Sequence, residues 1–129
     1  MKLGKTFWIS GAVVILIIFG VYALRTPVEG AGEGIYDDFA RCLTDKGAIM
    51  YGAYWCSHCN DQKKMFGASV DLINYVECSL PDNQGQTAAC AAAGIESYPT
   101  WEFPDGSRQS GALSIATLSQ RSGCSLTGE

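Results

Sequence analysis

The sequence predicts a three-layer α/β sandwich around a small mixed sheet, preceded by one N-terminal transmembrane helix. Two patterns predict this architecture. Beyond residue 35, short apolar segments typical of strands alternate with segments typical of helices, and the order closes with two adjacent strands and a helix. Before residue 25, a single apolar run carries no charged residue. With 129 residues, the chain has room for one membrane segment and one small domain.

The N-terminal apolar run covers residues 7–24, and its 18 residues are just enough to cross a bilayer as a helix. A cleaved signal peptide is the alternative, because a Lys-rich start and an apolar core occur in both kinds of segment. The run is longer than the usual signal-peptide core, and no Ala-x-Ala site follows it. We therefore favour an uncleaved transmembrane anchor.

Charge and cysteine content predict on which side of the membrane each part lies. Lys2 and Lys5 precede the apolar run, so the positive-inside rule places residues 1–6 in the cytoplasm. Residues 25–34 then form a Gly-rich tether, and residues 35–129 form an extracytoplasmic domain. Six cysteines in so small a chain fit an oxidising compartment. We expect a single-pass protein of the inner or cytoplasmic membrane with a periplasmic domain.

Beyond residue 30 the chain carries 12 acidic and 6 basic residues. The sequence contains no basic run, so a nucleic-acid partner is not expected. The excess of negative charge otherwise indicates only that the domain is well solvated.

The first predicted helix of the domain covers residues 37–43, where Phe39 and Leu43 share one face, and Gly47 ends it. Residues 48–54 are rich in apolar and aromatic side chains and predict a buried strand. This strand leads directly into the most informative motif of the chain.

A second helix is predicted at residues 57–67, with Met65 and Phe66 facing the interior. A second strand follows at residues 72–76, and a helix of small residues covers residues 87–93. The connection between this strand and this helix is polar and contains Pro, Asn and Gly, which favour turns.

The C-terminal part of the domain predicts a hairpin and a closing helix. Strands at 100–103 and 107–110 flank the Pro-Asp-Gly turn at 104–106. A helix then begins at residues 114–118, with Ser114 as its N-cap.

Residues 55–59 read Trp-Cys-Ser-His-Cys, and this C-x-x-C motif stands between a predicted strand and a predicted helix. Cys56 is then at the helix N-terminus, where free N–H groups and the helix dipole stabilise a thiolate. Cys59 lies one turn further on and can close a disulfide with Cys56, while His58 can add positive charge or a hydrogen bond. Half a zinc site and a purely structural pair are the alternatives, but the chain has no second C-x-x-C and a single His. The motif indicates electron exchange with protein thiols, without a metal or cofactor.

The other four cysteines predict two structural disulfides. Cys78 and Cys90 flank a polar loop and would join a strand to a helix. Cys42 and Cys124 remain, one near each end of the domain, and would staple these ends together. A second redox relay is the alternative for either pair, but neither pair stands in a C-x-x-C motif at a helix start.

Two separated segments, 55–59 and Tyr-Pro-Thr at 98–100, resemble the thioredoxin superfamily. The resemblance implies a cis peptide bond before Pro99, placed beside the dithiol so that it helps to hold a substrate strand. Trp55 and Tyr98 would then form an apolar rim for an unfolded peptide, with core packing as the equal alternative.

Residues 35–123 are most similar to the thioredoxin-like domain fused to bacterial vitamin K epoxide reductase homologues. The similar segments are Met-Tyr-Gly-Ala-Tyr-Trp-Cys at 50–56, Asp-Gln-Lys-Lys at 61–64, Phe-Gly at 66–67, Tyr-Val-Glu-Cys at 75–78 and Gly-Ile-Glu-Ser-Tyr-Pro-Thr-Trp at 94–101. Those fusions carry a multi-helix quinone-reducing domain, whereas this chain has one apolar segment. The resemblance therefore implies the partner domain alone, which passes electrons from thiol-containing exported proteins to a vitamin K epoxide reductase-like membrane enzyme.

One position departs from thioredoxin itself. The carboxylate that thioredoxin buries in the strand before its motif is replaced by Met50. The usual proton acceptor for the second thiol is therefore missing at that position. Glu77 is a candidate substitute, although a solvated Glu77 is the more ordinary expectation.

The sequence thus predicts a membrane-anchored thiol-disulfide oxidoreductase that promotes disulfide formation in exported proteins. A reductase or isomerase of the same fold is the nearest alternative, because the motif serves both directions. A copper-binding or metal-assembly protein is the alternative from another class, and it would use Cys56, Cys59 and a Met or His.

Overall fold

The computed structural model of the chain describes residues 34–126. Within this range it contains four α-helices, one 3₁₀ helix at Gly67–Leu72 and four short strands. The helices are α1 (Asp37–Asp45), α2 (Ser57–Phe66), α3 (Ala88–Ala92) and α4 (Ile115–Ser122), and the strands are β1 (Ile49–Gly52), β2 (Tyr75–Glu77), β3 (Thr100–Glu102) and β4 (Arg108–Ser110). The predicted cytoplasmic segment, the anchor at 7–24 and the tether up to residue 33 lie outside the described residues. No helix between residues 34 and 126 has the length and apolar character needed to span a membrane.

The four strands form one mixed sheet in the order β2-β1-β3-β4. β1 runs parallel to β2 and antiparallel to β3, and β3 runs antiparallel to β4. Parallel pairing requires a crossover connection, which α2 and the 3₁₀ helix supply. The register places Gly52 beside Glu77 and Met50 beside Trp101. β1 is therefore a central strand, and its C-terminal end leads into the C-x-x-C motif.

Different helices cover the two faces of the sheet, which gives the three layers that the sequence predicts. Successive strand residues point to opposite faces, and Met50 and Tyr51 accordingly belong to separate buried clusters. The larger cluster joins Met50 to apolar side chains of α1, α2 and α4, namely Phe39, Leu43, Phe66 and Leu118. The smaller cluster joins Tyr51 to Cys90 of α3.

Gln62 of α2 is a polar side chain fully buried beneath the sheet. Its Oε1 accepts hydrogen bonds from Trp101 Nε1 at 3.1 Å and from the Leu113 backbone N–H at 2.6 Å. Its Nε2 donates to the Leu113 carbonyl oxygen at 3.0 Å. These partners compensate the loss of hydration, and they connect α2 to β3 and to the segment before α4.

The sequence analysis is wrong about Met65, which it placed in the interior. Met65 is 41% exposed, whereas Gln62 is fully buried. Cys59, Gln62 and Phe66 follow the i, i+3, i+7 spacing of one helical face. Met65 lies about 100° around the helix from Phe66, because each residue turns the helix by that angle. Hydrophobic character alone therefore selected Met65 as an inward-facing residue, whereas the buried side chain is that of Gln62.

The predicted strand at 72–76 begins too early, because Leu72 ends the 3₁₀ helix and β2 covers Tyr75–Glu77. Gly67 has φ of 56°, which glycine adopts readily, and it ends α2 at the start of the 3₁₀ helix. β1, at Ile49–Gly52, is likewise shorter at both ends than the strand predicted at 48–54. β2 also extends to Glu77, one residue beyond the predicted end.

The hairpin and the closing helix agree with the prediction. β3 and β4 pair around residues 104–106, and Ser114 is confirmed as an N-cap that accepts a hydrogen bond from Thr117 N at 3.1 Å. Gly123 ends α4 in the left-handed conformation, with φ of 70°. Lys46, just after α1, donates to the Gly123 carbonyl oxygen at 2.8 Å and so connects the ends of the two helices.

Candidate active site

Cys56 is the N-cap of α2, directly before the 10-residue helix Ser57–Phe66. A turn closed by a hydrogen bond from Cys56 N to the Ala53 carbonyl oxygen (3.0 Å) leads from β1 into this helix. The Cys56 Sγ accepts a hydrogen bond from Cys59 N at 3.3 Å. The sulfur therefore lies where unpaired N–H groups and the helix dipole stabilise a thiolate.

Cys59 is the more deeply placed of the two thiols. Cys59 is fully buried, whereas Cys56 is 7% exposed, and both are free thiols in the structure. Burial raises the pKa of Cys59 to about 12, and the hydrogen bond with Cys56 adds to this effect while the charge of Lys63 opposes it. Cys59 therefore keeps its proton at neutral pH, and Cys56 is the sulfur that an incoming thiol or disulfide reaches first.

The loop that contains Pro99 lies against the dithiol. The Tyr98–Pro99 peptide bond is cis, and the Cys56 Sγ lies 3.6 Å from the Tyr98 carbonyl oxygen, to which its S–H can donate. Pro99 is fully buried, and Thr100 Oγ1 donates to the Ser97 carbonyl oxygen at 2.8 Å across the loop. The structure thus brings Pro99 and Tyr98 together with Cys56. Their role in holding a substrate strand stays a prediction.

Aromatic side chains form a partly exposed apolar surface beside Cys56. Trp55 is 50% exposed and Tyr54 is 49% exposed. The Trp55 ring packs edge-on against Tyr98 with 6.1 Å between the ring centroids, and its Nε1 donates to Ser79 Oγ at 2.8 Å. This hydrogen bond holds the indole in place while half of its surface stays in water. The predicted binding of substrate by Trp55 and Tyr98 remains untested by these contacts.

His58 lies in the first turn of α2 with an exposed side chain. Its side chain makes no hydrogen bond and no ion pair with any residue between 34 and 126. Its predicted effect on the Cys56 thiolate would therefore act through charge and not through a direct contact. This effect stays a prediction.

Two disulfides are present, and they join the cysteines that the sequence analysis paired. Cys42 of α1 is bonded to Cys124, just after α4, across a sequence separation of 82. Cys78, just after β2, is bonded to Cys90 of α3 across a sequence separation of 12. None of these four cysteines is a helix N-cap.

Tyr75 and Glu77 of β2 form a polar pair that the sequence analysis did not identify as a unit. The Tyr75 hydroxyl donates to Glu77 Oε2 at 2.7 Å, and Glu77 Oε1 accepts from Ser79 N at 2.9 Å and from Tyr54 N at 3.2 Å. Burial raises the pKa of Tyr75 well above its usual range, and the hydrogen bond to Glu77 adds to this effect. The available signal was the i, i+2 spacing, which places both side chains on one face of a strand.

Gly52, the last residue of β1, lies between this pair and the dithiol. A Cβ atom at Gly52 would lie 2.8 Å from the Tyr75 ring, 3.1 Å from the Cys59 Sγ and 3.2 Å from the Tyr75 hydroxyl oxygen. The absence of a side chain at this position is what allows Tyr75 to approach Cys59.

The alternative of a copper site needs a third ligand beside Cys56 and Cys59. Met65, the thioether on the same helix, lies on the exposed side of α2. Among residues 34–126, no three side chains of His, Cys, Asp or Glu are grouped closely enough to hold a metal ion.

Comparisons with known proteins bear on the chemistry of this site. No protein-family model matches the chain. The chain is 41% identical over 107 residues to the thiol-disulfide oxidoreductase LTO1 of Arabidopsis thaliana. This alignment covers 79% of the chain but only 28% of the relative, so the chain spans less than a third of that protein's length. The similarity suggests a thioredoxin-like domain, and the mixed α/β architecture with its small four-stranded sheet fits a thioredoxin-like fold.

Proposed function

We propose that this chain is a thiol-disulfide oxidoreductase that exchanges disulfides through Cys56 and Cys59. The observation that carries the proposal is the position of Cys56 as N-cap of α2, with Cys59 N donating to its sulfur at 3.3 Å. The similarity to a relative that is named as a thiol-disulfide oxidoreductase supports the same chemistry. Cys56 is the attacked and attacking sulfur, and Cys59 is the resolving thiol.

The exchange in the oxidising direction begins from a Cys56–Cys59 disulfide. A substrate thiolate attacks Cys56 Sγ, a mixed disulfide forms, and Cys59 leaves with the electron pair of the broken bond. A second substrate thiolate then attacks the substrate sulfur of the mixed disulfide and releases Cys56 as a thiolate. Two electrons pass from the two substrate thiols to the dithiol, and the substrate keeps a new disulfide. A thiol oxidant must then accept these electrons from Cys56 and Cys59.

We propose the oxidising direction because the fold already contains two disulfides. Cys42–Cys124 and Cys78–Cys90 indicate a compartment in which disulfides form and persist. Within this proposal, residues 7–24 anchor the chain, and the domain faces thiol-containing exported proteins outside the cytoplasm. The oxidant is a vitamin K epoxide reductase-like membrane enzyme. A reductase or isomerase that uses the same dithiol is the alternative direction.

The reduction potential of the full chain tests the direction. Equilibration with glutathione redox buffers, followed by alkylation and mass spectrometry, reports the fraction of Cys56–Cys59 disulfide. We expect a value closer to that of the oxidant DsbA, about −120 mV, than to that of thioredoxin, about −270 mV. A value near thioredoxin would support the reductase alternative. If Cys56 and Cys59 form no disulfide at any ratio of oxidised to reduced glutathione, the oxidoreductase proposal is contradicted.

Labelling of intact cells tests the location. A membrane-impermeant maleimide should modify Cys56 of the reduced chain without lysis, and the chain should stay in the membrane fraction after carbonate washing. Protection of Cys56 in intact cells would contradict the proposed side of the membrane. Release by carbonate would contradict the anchor.

A further inference from the structure

Cys59 needs a partner for its proton that the central strand does not offer. A thiol attacks a disulfide only as the thiolate, and burial raises the pKa of Cys59 to about 12. Met50 of β1, at the position where thioredoxin has its carboxylate, is fully buried in the same apolar cluster as Cys59. The proton must therefore pass to a group on another element before Cys59 can react.

Tyr75 of β2 approaches Cys59 across the backbone of Gly52. The Tyr75 hydroxyl oxygen and the Cys59 Sγ both border the position of a Gly52 Cβ, at 3.2 Å and 3.1 Å. The two atoms therefore lie near the same point at the end of β1, without a direct hydrogen bond between them in this structure. The register of the sheet fixes this arrangement, because Gly52 pairs with Glu77 two residues after Tyr75.

Glu77 holds the Tyr75 hydroxyl in one orientation. Backbone N–H groups of Ser79 and Tyr54 donate to Glu77 Oε1, and the Tyr75 hydroxyl donates to Oε2. The hydroxyl hydrogen therefore points at the carboxylate, and a lone pair of the hydroxyl oxygen remains for a second donor. A thiol S–H at Cys59 is a donor of this kind.

Lys63 of α2 adds a positive charge to the cluster. Its Nζ lies 3.5 Å from the centroid of the Tyr75 ring, and its charge lowers the pKa of Cys59 against the larger effect of burial. Lys63 and Tyr75 line an open pocket of about 320 Å³. The other lining residues are Val70, Asp71 and Ile73. Solvent therefore reaches Lys63 and Tyr75 through this pocket.

We propose that Tyr75, oriented by Glu77, relays the proton of Cys59, an inference that rests on the proposed dithiol exchange. When Cys59 resolves a mixed disulfide, its proton passes to the Tyr75 oxygen while the Tyr75 hydroxyl proton passes to Glu77 Oε2 and then to water. The Cys59 sulfur forms the bond to Cys56, the bond between Cys56 and the substrate sulfur breaks, and the substrate sulfur leaves with its electron pair. In the opposite direction, the relay returns a proton to Cys59 when the Cys56–Cys59 bond opens. Glu77 acts through Tyr75 and is a positioning residue.

The two proton transfers of this relay are concerted. Tyr75 gives its hydroxyl proton to Glu77 Oε2 as it takes the proton of Cys59, so neither a free phenolate nor a doubly protonated hydroxyl forms. The titratable and charged groups around this pair within the described residues are Cys56, the N-cap of α2, Lys63 of α2, Glu77 of β2 and Asp71, which lines the same pocket. Glu77 is the carboxylate that accepts the hydrogen bond of the Tyr75 hydroxyl, so it can accept the relayed proton.

Two separate steps of the reaction with glutathione disulfide test the relay. The reduced full chain attacks glutathione disulfide through Cys56 and releases one glutathione, and Cys59 then releases the second. We expect Tyr75→Phe to slow the second release at pH 7 by about tenfold or more, as loss of a positioned proton-transfer group does. The first release should change by less than about twofold. The deficit should shrink as pH rises towards the pKa of Cys59, because hydroxide then removes the proton.

Tyr51→Phe is the matched control, because Tyr51 is a buried tyrosine of the adjacent strand on the opposite face of the sheet. It should leave both releases unchanged. The relay is contradicted if Tyr75→Phe keeps the second release within about twofold of the unaltered chain, or slows both releases equally at every pH.

Glu77→Gln provides a second variant of nearly the same shape. It keeps an oxygen for the Ser79 and Tyr54 N–H groups but removes the charge that accepts the proton, so it should slow the second release and spare the first. If Tyr75→Phe does not fold, the rate of this variant decides. Failure of the proposed function has a different signature, because Cys59→Ser would then form no glutathione adduct on Cys56.

Discussion

The three cysteine pairs of the described domain differ in chemistry, but the extent of their burial does not explain the difference. Cys59, Cys78 and Cys90 are all fully buried, yet Cys59 belongs to an open dithiol and the other two to a closed disulfide. Their positions along the helices differ instead. Cys56 is an N-cap whose sulfur accepts a backbone N–H, whereas Cys42 and Cys90 lie inside helices.

The comparison indicates that backbone donors, more than solvent exposure, distinguish the proposed exchange pair Cys56 and Cys59 from the two disulfides. Cys42 lies beyond the first turn of its helix, where the helix itself uses the backbone N–H groups, so its sulfur has no free backbone donor to stabilise a thiolate. At the N-cap of α2, the helix dipole and a free N–H favour the thiolate of Cys56 and make it a good leaving group. A disulfide without that support opens less readily and acts as a staple.

The largest expected effect is the loss of exchange in Cys56→Ser. This variant should form no adduct with glutathione disulfide, because the attacking sulfur is absent. Cys59→Ser should form the adduct on Cys56 and accumulate it, since no second thiol resolves it. Mass spectrometry after acid quenching measures both. An adduct on Cys59 in the Cys56→Ser variant, formed at the normal rate, would reverse the assignment.

Removal of the disulfides should affect stability and not exchange. Replacing Cys42 and Cys124 by Ser should lower the free energy of unfolding by about 4–5 kcal/mol, because the closed loop is long. Replacing Cys78 and Cys90 should cost less, about 3 kcal/mol, because their separation is 12 residues. Urea unfolding measures both values. If a variant that lacks either disulfide folds but no longer reacts at Cys56, the separation between structural disulfides and exchanging dithiol is contradicted.

Gly52→Ala should disturb the packing around Cys59 directly. The new Cβ would lie 2.8 Å from the Tyr75 ring and 3.1 Å from the Cys59 Sγ, so both must move. We expect a loss of about 1–3 kcal/mol in the free energy of unfolding, as for other overpacked sites. Gly85→Ala is the control, because its Cβ would meet only Leu80 Cδ1, at 3.6 Å. Equal stability of the two variants in urea would contradict this close approach.

The effect that we expect to be smallest near neutral pH is a pH dependence of stability that differs between the redox states. The pKa of Cys59 is raised in the folded reduced chain, so the unfolded chain loses this proton first as pH rises. Stability of the reduced chain should therefore fall between about pH 9 and 12, beyond any fall in the oxidised chain, where Cys59 does not titrate. The pKa of Tyr75 is raised mainly by burial and by its hydrogen bond to Glu77, which both redox states share, while the smaller contributions of Cys59 and Cys56 belong to the reduced chain alone. Parallel curves for the two states in thermal unfolding would argue against a raised pKa at Cys59.

The sequence predicted the order of the helices and strands and the position of the dithiol, because strong local signals mark them. It did not predict the contacts between elements as well. The Pro-Asp-Gly turn, the Ser114 cap and the C-x-x-C spacing each act within a few residues, and each lies where the sequence indicates. The inward face of α2 was misjudged because Gln62 is polar, and its partners come from β3 and the segment before α4. The pairing of Tyr75 with Glu77 depends on where β2 ends, because the predicted strand at 72–76 stops before Glu77 whereas β2 covers Tyr75–Glu77.

The buried amide of Gln62 also fixes how the dithiol helix is turned about its own axis. Trp101 Nε1 and both backbone groups of Leu113 are satisfied by this one side chain. Rotation of α2 by a single residue would leave these groups without partners, at about 1–3 kcal/mol for each. Apolar side chains alone would tolerate several such rotations, because dispersion contacts have no direction. The directional hydrogen bonds of Gln62, one helical turn after Cys59, therefore fix the rotation of α2 about its axis. This rotation holds the Cys56 sulfur near the Tyr98 carbonyl oxygen.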